Sequence, residues 1–481
     1  MKPNDEKGVA LVLVMIMLAV LSIIAASLMA VSTGETSASM NYRLMTLARY
    51  GGESAVHKAA NYLMSATYSA TAPGSATDPI GNYNMNATPV MVNGQAVTVT
   101  RLGQPVVLSA DAGTASNYPV EAVVTAFKAA ATGTLTGGSS PVSYNAVATL
   151  VSMRQINVFG GTSAVVQTWQ ITGTGILAGI RPAEIEVSSI LERQVTPVFS
   201  YAAFATSSGC GALDWQGNAK TDSYNSAVGH VPDVPAFGGN VGTNGNLTLT
   251  GGAEINGTLS TIRTGVGSCA AGNALTGSLS KVDGMVELPQ AVVYPTPAPP
   301  ATLSNVPKTL NPGNTLVLAP GDYGDLDPIK GTLKLSAGTY NINSISMTSQ
   351  GTIDITSGPV ILNVAGYATA GVYEAVPSRA DPVTMYGGAF MNVATYDPSM
   401  FRITYAGTKT INLLGTSGIT GLIYAPNATV TNGGTVDWYG AIIAAVVKDF
   451  GNASIHYDRA LATKDVALGA FMLDSFTWRK Y

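Results

Sequence analysis

The side chains best suited to acid–base chemistry or metal binding are sparse in this sequence. The histidines lie at His57, His230 and His456. None has a metal-ligand spacing or a neighbouring nucleophile. His57 falls on the predicted helix, and His456, in an apparent strand, is expected to have a structural role. The densest acidic group is a weak candidate for a Ca²⁺ site and consists of Asp322, Asp325 and Asp327. Aspartates beside glycine and proline more often form turns. The sequence therefore predicts no enzyme, no cofactor and no catalytic residue.

Cys210 and Cys269 are the cysteines of this chain. One disulfide suits an oxidising compartment, whereas two reduced and buried thiols fit the sequence as well. Two cysteines are too few for a cysteine-rich metal site.

Composition favours turn-rich β structure over a charged helical enzyme. Charged residues are 11% of the 481 residues and glycine occurs 53 times, whereas ordinary soluble domains are about 25% charged. The net charge of −4 provides no basic field for phosphate backbones, so we expect no nucleic-acid partner. The length predicts two or three folded units.

The N-terminal part of the chain is predicted to form an apolar helix. Residues 1–8 form a polar leader, and no charge occurs between Val9 and Val31. As a helix this run reaches about 34 Å, enough to cross a hydrocarbon layer of about 30 Å. Lys2 and Lys7 precede the run, so the leader should lie in the cytoplasm and the rest of the chain on the other side of the membrane.

Helical periodicity continues to residue 64 in a stripe of apolar and small residues: Met40, Leu44, Leu47, Gly51, Ala55, Ala59 and Leu63. Small residues in its middle predict close approach of another backbone, either in a helix bundle or on a sheet. The pair Gly51-Gly52 is expected to kink or loosen the helix.

The leader junction resembles the class III signal of type IV prepilins, because Lys7-Gly8 is followed directly by Val9 and an apolar helix. The resemblance implies that prepilin peptidase cuts after Gly8 and methylates the new terminus at Val9. It also implies other pilins as partners. Most pilins carry a glutamate five residues after the cut, where this chain has Leu13. Subunits lacking it tend to lie at the filament tip, so a minor, tip-proximal component is implied. The alternative is an unprocessed membrane anchor.

Residues 35–63 resemble the assembly helix of PilX-type minor pilins, in which an Asn precedes an Ala-rich stretch around a Glu. The stretch begins at Glu35, and the matching positions in this sequence are Asn41, Ala48, Glu53 and Ala55. The run from Trp169 to Gly175 (WQITGTG) resembles a strand of the same proteins.

Residues 65–200 are predicted to form a pilin-like β headgroup. Loops surround a hairpin near Ala96–Leu102, and alternating apolar and polar residues predict four strands: Val120–Phe127, Asn145–Arg154, Val165–Thr172 and Glu184–Arg193.

Residues 201–481 contain repeats typical of a β-solenoid. The segment 318–323 (LAPGDY) returns 17 residues later, and 331–338 (GTLKLSAG) returns 20 residues later. The Pro-rich segment near residues 294–300 must run outside the coils. Trp215 and Trp438 are predicted to cap the two ends, and contact with a surface ligand is the alternative. Residues 441–461 resemble an uncharacterised β-helical domain often fused behind PilX-type N-termini.

The predicted fold class is thus α+β. A long pilin helix (9–64) with a small antiparallel sheet is followed by a β-solenoid that resembles a right-handed β-helix. The leading hypothesis is a minor pilin of a type IV pilus or pseudopilus, which lies in the inner membrane before assembly and on the pilus afterwards. The alternative is an adhesin that binds surface glycan or protein. A membrane-anchored polysaccharide-active enzyme is the third hypothesis.

Overall fold

A computed structural model of the chain describes residues 7–68, 91–92, 95–96, 106–118, 120–136, 141–159, 162–179, 182–228, 237–348, 350–355, 357–387, 390–392, 395–415, 418–464 and 466–480. The fold divides into two compact units, residues 1–196 with 468–481, and residues 197–467. The prediction of an α+β chain with one long N-terminal helix is confirmed. The boundary predicted at residue 200 lies close to the observed one. The prediction that the second unit extends to residue 481 is wrong, because the last strand pairs within the first unit.

Among the described residues the α-helices are α1 (Lys7–Met64) and α2 (Glu121–Ala130). The first unit contains β1 (Met91–Val92), β2 (Gln95–Ala96), β3 (Val107–Ser109), β4 (Gly133–Leu135), β5 (Val142–Val158), β6 (Thr162–Leu177) and β7 (Ala183–Pro197). The second unit contains β8 (Ala203–Ala205), β9 (Leu213–Gly217), β10 (Lys220–Tyr224), β11 (Val241–Thr243), β12 (Leu247–Leu249), β13 (Glu254–Thr261), β14 (Leu275–Thr276), β15 (Val282–Glu287), β16 (Lys308–Leu310), β17 (Thr315–Leu318), β18 (Gly321–Asp322), β19 (Asp325–Ile329), β20 (Thr332–Leu335), β21 (Gly338–Ile342), β22 (Ser344–Met347), β23 (Thr352–Ile355), β24 (Val360–Val364), β25 (Val383–Gly387), β26 (Phe390–Asn392), β27 (Phe401–Tyr405), β28 (Ile411–Gly415), β29 (Gly418–Gly434), β30 (Asp437–Gly451) and β31 (Ser454–Asp458). The final strand, β32 (Val466–Lys480), joins the sheet of the first unit.

The sheet of the first unit is built around an antiparallel meander of β5, β6 and β7, and β32 pairs with β7 and β5. Three of the four predicted strands are confirmed as β5, β6 and β7. The fourth, Val120–Phe127, is wrong, because this segment forms α2. Val123 and Phe127 lie four residues apart and are both buried, so one helical face enters the core. Most of the predicted hairpin at Ala96–Leu102 lies outside the described residues.

The second unit is wound in turns of three strands whose pairings are parallel. From β16 to β25 each strand pairs with the strand three positions later, and β29 and β30 each run through a whole turn. The predicted repeats stack in part. Leu318 faces Leu335, 17 residues on, and Leu333 faces Ile353, 20 residues on. Later positions of both repeats are out of register, because Gly321 faces Tyr340 and Gly338 faces Val360. Leu333, Leu335 and Ile353 are buried because alternate side chains point into the stack.

Both ends of the second unit meet in one turn, which we call the junction turn and which consists of β31, β8 and β9. All three strands pair with β30. Beyond them, β10 pairs with β31, β11 with β8 and β12 with β9. The stack therefore has two arms, residues 203–287 and residues 308–458, which join at the junction turn.

A proline-rich strap, residues 288–307, connects the free ends of the two arms along the outside of the stack. Proline has no backbone N–H, so this segment cannot enter a central ladder, as predicted. Its carbonyls accept hydrogen bonds instead. The hydroxyl of Tyr424 donates to Pro295 O at 2.7 Å, and that of Tyr367 donates to Pro300 O. Trp215 and Trp438 are fully buried in neighbouring turns near the junction, so the prediction that they cap the ends is wrong.

Candidate functional site

The first half of α1 has an apolar surface without protein cover. The side chains of the run that begins at Val9 and ends at Val31 are exposed, including Leu21 at 54% and Ile23 at 69%. Within the described residues, Val9–Met64 is a helix long and apolar enough to cross a membrane. Exposing so many apolar side chains to water is unfavourable, so this surface requires lipid or other apolar helices around it.

The second half of α1 packs on the sheet through glycine. A Cβ atom at Gly175 would lie 1.9 Å from the carbonyl oxygen of Ala48, and one at Gly173 would lie 2.3 Å from that of Gly52. A Cβ at Gly51 would lie 2.7 Å from Val142 Cγ1. The helix continues through Gly51 and Gly52 to Met64, so the expected kink is wrong. These glycines instead let two backbones approach closely.

The predicted assembly residues lie on different parts of this helix. Leu13 is 62% exposed within the apolar half, and Glu35 and Asn41 lie on exposed surface beyond it. Glu53 pairs with Arg49 one turn earlier, with 2.8 Å between Nε and Oε1. Gly8 lies in the first turn of the helix, whereas residues 1–6 of the leader lie outside the described residues.

The C-terminal strand brings aromatic rings beside the helix. The guanidinium carbon of Arg49 lies 6.0 Å from the ring centre of Trp478, and the rings of His57 and Phe476 are 5.8 Å apart. Trp478 is 57% exposed and Phe476 is 45% exposed. The structure thus shows that this strand joins the sheet of the helix-bearing unit.

His456 forms a buried charge cluster at the junction turn. Its Nδ1 contacts Asp222 Oδ1, its Nε2 lies 3.4 Å from Asp437 Oδ1, and its ring stacks on Tyr439 with centroids 4.6 Å apart. Burial disfavours the charged imidazole, but the hydrogen bonds and charges of both carboxylates outweigh it and raise the pKa of His456 to about 9. A group that stays protonated at neutral pH is a poor general base. This geometry favours the structural role expected for His456, whereas His230 lies outside the described residues.

The acidic cluster of the sequence is divided among protein partners. Asp322 accepts a hydrogen bond from Asn341 Nδ2 at 2.7 Å, and Asp325 and Asp327 face Arg379 at 3.3 and 3.6 Å. Across the described part of the chain, no three His, Cys, Asp or Glu side chains are placed to hold a metal ion. The weak candidate Ca²⁺ site is therefore not formed by these residues.

Cys210 and Cys269 are joined in a disulfide, with Cα atoms 5.6 Å apart. The bond links the loop between β8 and β9 to the segment between β13 and β14, two turns further along the same arm. It therefore ties the junction turn to a turn further along the arm of residues 203–287.

A surface loop of the second unit, residues 366–379, presents apolar side chains from a braced backbone. The Glu374 carboxylate accepts hydrogen bonds from Ala368 N at 3.0 Å, Ser378 N at 3.0 Å and Ser378 Oγ at 2.8 Å. The exposed members of the loop are Val372 (55%), Tyr373 (56%) and Val376 (72%). Hydrogen bonds that fix the backbone reduce the ordering cost of binding through such side chains.

Sequence reasoning missed the residues that assemble these sites. The small residues of α1 predicted that another backbone would approach closely. The sequence did not identify the glycines of β6 as that backbone, because they stood out only as part of a strand motif. The partners of His456 are 234 and 19 positions away in sequence. The spacing of 19 is close to one repeat, but the partner 234 positions away lies beyond any local pattern.

Comparisons with known proteins agree with this division of the chain. Residues 7–57 match the PilX N-terminal family, and residues 311–464 match a domain of unknown function (DUF7305). No curated protein matches the sequence. A solved structure of the competence-associated pilin ComZ from Thermus thermophilus matches 91% of this chain and 98% of its own, at 14% identity and a TM-score of 0.25. That score is too low to indicate a shared overall fold.

Proposed function

We propose that this chain, which begins with the N-terminal segment of a PilX-type pilin, is a minor pilin that enters a type IV pilus or pseudopilus near its tip. The observation that carries the proposal is the uncovered apolar surface of α1, continuous with a half that is packed on its own sheet. Such a helix leaves lipid only if other apolar helices replace the lipid around it.

Processing at the leader junction follows from this role. We propose that prepilin peptidase cuts between Gly8 and Val9 and methylates Val9 while α1 spans the inner membrane and both units lie in the periplasm. Lys2 and Lys7 before the apolar run support this orientation. Glu35, Asn41 and the Arg49–Glu53 pair then lie beyond the apolar run, where polar contacts with neighbouring pilins are accessible.

Leu13 supports a position at the tip. A glutamate there would pair with the terminal amine of a neighbouring subunit, and that pairing is strong in an apolar environment. Leu13 is uncharged and cannot form this pair. A subunit that makes no such pair is best placed where the filament begins, and it would then carry its second unit outward.

We further propose that the second unit is a β-solenoid head, as the three-strand turns and their stacked repeats support. The inward rows of apolar side chains bury each turn on the next, which is the packing that stabilises solenoids. With the two arms joined at the junction turn, the chain would enter and leave this solenoid near its middle rather than at its ends.

Mass spectrometry of protein from cells with and without prepilin peptidase tests the processing step. We expect loss of residues 1–8 and one added methyl group only when the enzyme is present. Gly8→Asp should block the cut, whereas Gly34→Ala, on the open surface of the same helix, should not. An intact Met1 in both strains would contradict the proposal.

Filament labelling tests the position of the subunit. We expect a tag in the second unit to mark filament ends, and Leu13→Glu to spread the label along the shaft, because a subunit with that carboxylate can be followed by others. A label that stays at the ends in Leu13→Glu would show that Leu13 does not determine the position.

Binding through the head is a second candidate function, favoured by the braced loop at residues 366–379. Its apolar side chains are exposed although its backbone is fixed, which is typical of recognition surfaces. We expect the full chain to bind a subset of surface glycans or proteins on an array. Replacing Val372, Tyr373 and Val376 with serine should abolish this binding. Serine at the similarly exposed Val317 is the matched control.

A further inference from the structure

The second unit is inserted between β7 and β32, two adjacent strands of the first unit that a hairpin turn could otherwise connect. β7 and β32 are neighbours in the sheet. The Nε atom of Arg193 donates to Gly469 O at 3.2 Å, and Ser189 Oγ donates to Asp474 O at 3.0 Å. Residue numbers rise along one strand as they fall along the other, so the strands are antiparallel. Residues 197–467 therefore connect two adjacent strand ends.

Both connections are continuous with strands of the second unit. The ingoing segment, residues 197–202, leads directly into β8, and the outgoing segment begins at Arg459, directly after β31. Both strands pair with β30 in the junction turn. Within that unit the hydroxyl of Tyr457 donates to Phe199 O at 2.9 Å, and both side chains are buried. The entry and exit of the second unit are thus held side by side.

We propose that this arrangement makes the second unit a load-bearing head. A pulling force on the head is then shared between the ingoing and the outgoing segment of the chain. A pull on the head reaches the first unit through β7 and β32 together, from the same end of the sheet. Ladder hydrogen bonds lie across the strands, so a pull along the strands loads many of them at once. The ladder of β7 with β6 extends from Leu191, opposite Trp169, to Ala183, opposite Leu177.

Within the head, the strap holds the two arms to each other. Val292 exchanges two hydrogen bonds of 2.8 Å with the Asn244 side chain on one arm. Three residues later, Pro295 O accepts from Tyr424 on the other arm. A load on either arm therefore reaches the junction turn and both connecting segments. A chain attached through one linker would carry the same load on one strand only.

Force spectroscopy on the full chain in detergent tests this division. Ser39→Cys on exposed α1 and Val286→Cys, 47% exposed at the end of one arm, provide attachment points for DNA handles, with the native disulfide kept oxidised. A protease site is inserted after Lys464 in the outgoing segment, and the force of first opening is measured before and after cleavage. The same site after Val376, in the exposed loop, is the matched control. A third chain carries the site after Ser200.

Cleavage after Lys464 should lower the opening force by about half, because one ladder then carries the load that two shared. Cleavage after Ser200 should have a similar effect, and cleavage after Val376 should have none. Melting without load should change little in all three. An opening force unchanged by the cut after Lys464 would overturn the proposal, as would a loss confined to the cut after Ser200. Neither result depends on whether the head binds a ligand or the chain enters a filament.

Discussion

Replacing His456 with glutamine removes the cation that lies between Asp222 and Asp437. The pKa of His456 is about 9 against an ordinary value of 6.5, which corresponds to about 3 kcal/mol of folding free energy in favour of the charged ring. The His456 side chain is 9% exposed and that of Asp222 is 19% exposed, so solvent screens this pair little. Asp437, at 48% exposure, contributes a smaller and more screened part.

The pH dependence has a definite sign. Because folding raises the pKa of His456, its stabilisation is complete below about pH 6.5 and is lost as the pH rises through about 9. Urea unfolding of the full chain, followed by tryptophan fluorescence with the disulfide intact, should show this loss for the second unit. His456→Gln should be less stable at about pH 6 and should lack the pH-dependent loss. Parallel pH curves for the two proteins would refute the reasoning.

Three further variants separate the effect of the charge cluster from a general effect of losing a histidine. His57→Gln changes an exposed histidine of the other unit and should leave the curve of the second unit in place. Asp222→Asn should reduce the pH dependence more than Asp437→Asn, because Asp222 is the less exposed partner. The opposite order would contradict the assignment of Asp222 as the main partner.

The remaining predictions concern packing and the covalent link. Gly175→Ala should destabilise the first unit by at least about 2 kcal/mol in thermal unfolding, because its Cβ would lie 1.9 Å from Ala48 O. Gly34→Ala, where a Cβ meets no atom within 4 Å, should be neutral or add up to about 1 kcal/mol through helix propensity. Paired serines at Cys210 and Cys269 should cost the second unit about 2–5 kcal/mol in urea unfolding, and a reductant should then have no further effect on stability.

The two halves of α1 explain how one helix can serve two environments. Its apolar half lacks cover, whereas its second half buries Ala55, Ala59 and Leu63 against the sheet. The stripe predicted from spacing is confirmed over Gly51 to Leu63, and it becomes exposed at Met40. The transition follows from where the sheet begins, because the stripe keeps its spacing from Met40 to Leu63.

Several predictions failed for one reason, which is that local pattern does not determine partners. Val120–Phe127 alternates well enough for a strand, but Val123 and Phe127 are four residues apart and meet the core as a helical face. Trp215 and Trp438 are spaced as if they marked two ends, yet they lie in adjacent turns. Asp322, Asp325 and Asp327 are close in sequence. In the structure, however, their carboxylates pair with side chains outside the cluster and not with a shared metal ion.

The amino-acid sequence alone determined the features that depend on neighbouring residues: the apolar helix, the strands β5 to β7, the repeat lengths of 17 and 20 and the exclusion of the proline-rich strap from the ladders. Tertiary structure alone decided what depends on residues distant in the chain. These features are the glycine contact of α1 with β6, the charge partners of His456, the junction turn and the return of β32 to the first sheet. Parallel ladders and buried ion pairs join segments up to hundreds of residues apart, and no periodicity of one segment specifies which distant segment will lie against it.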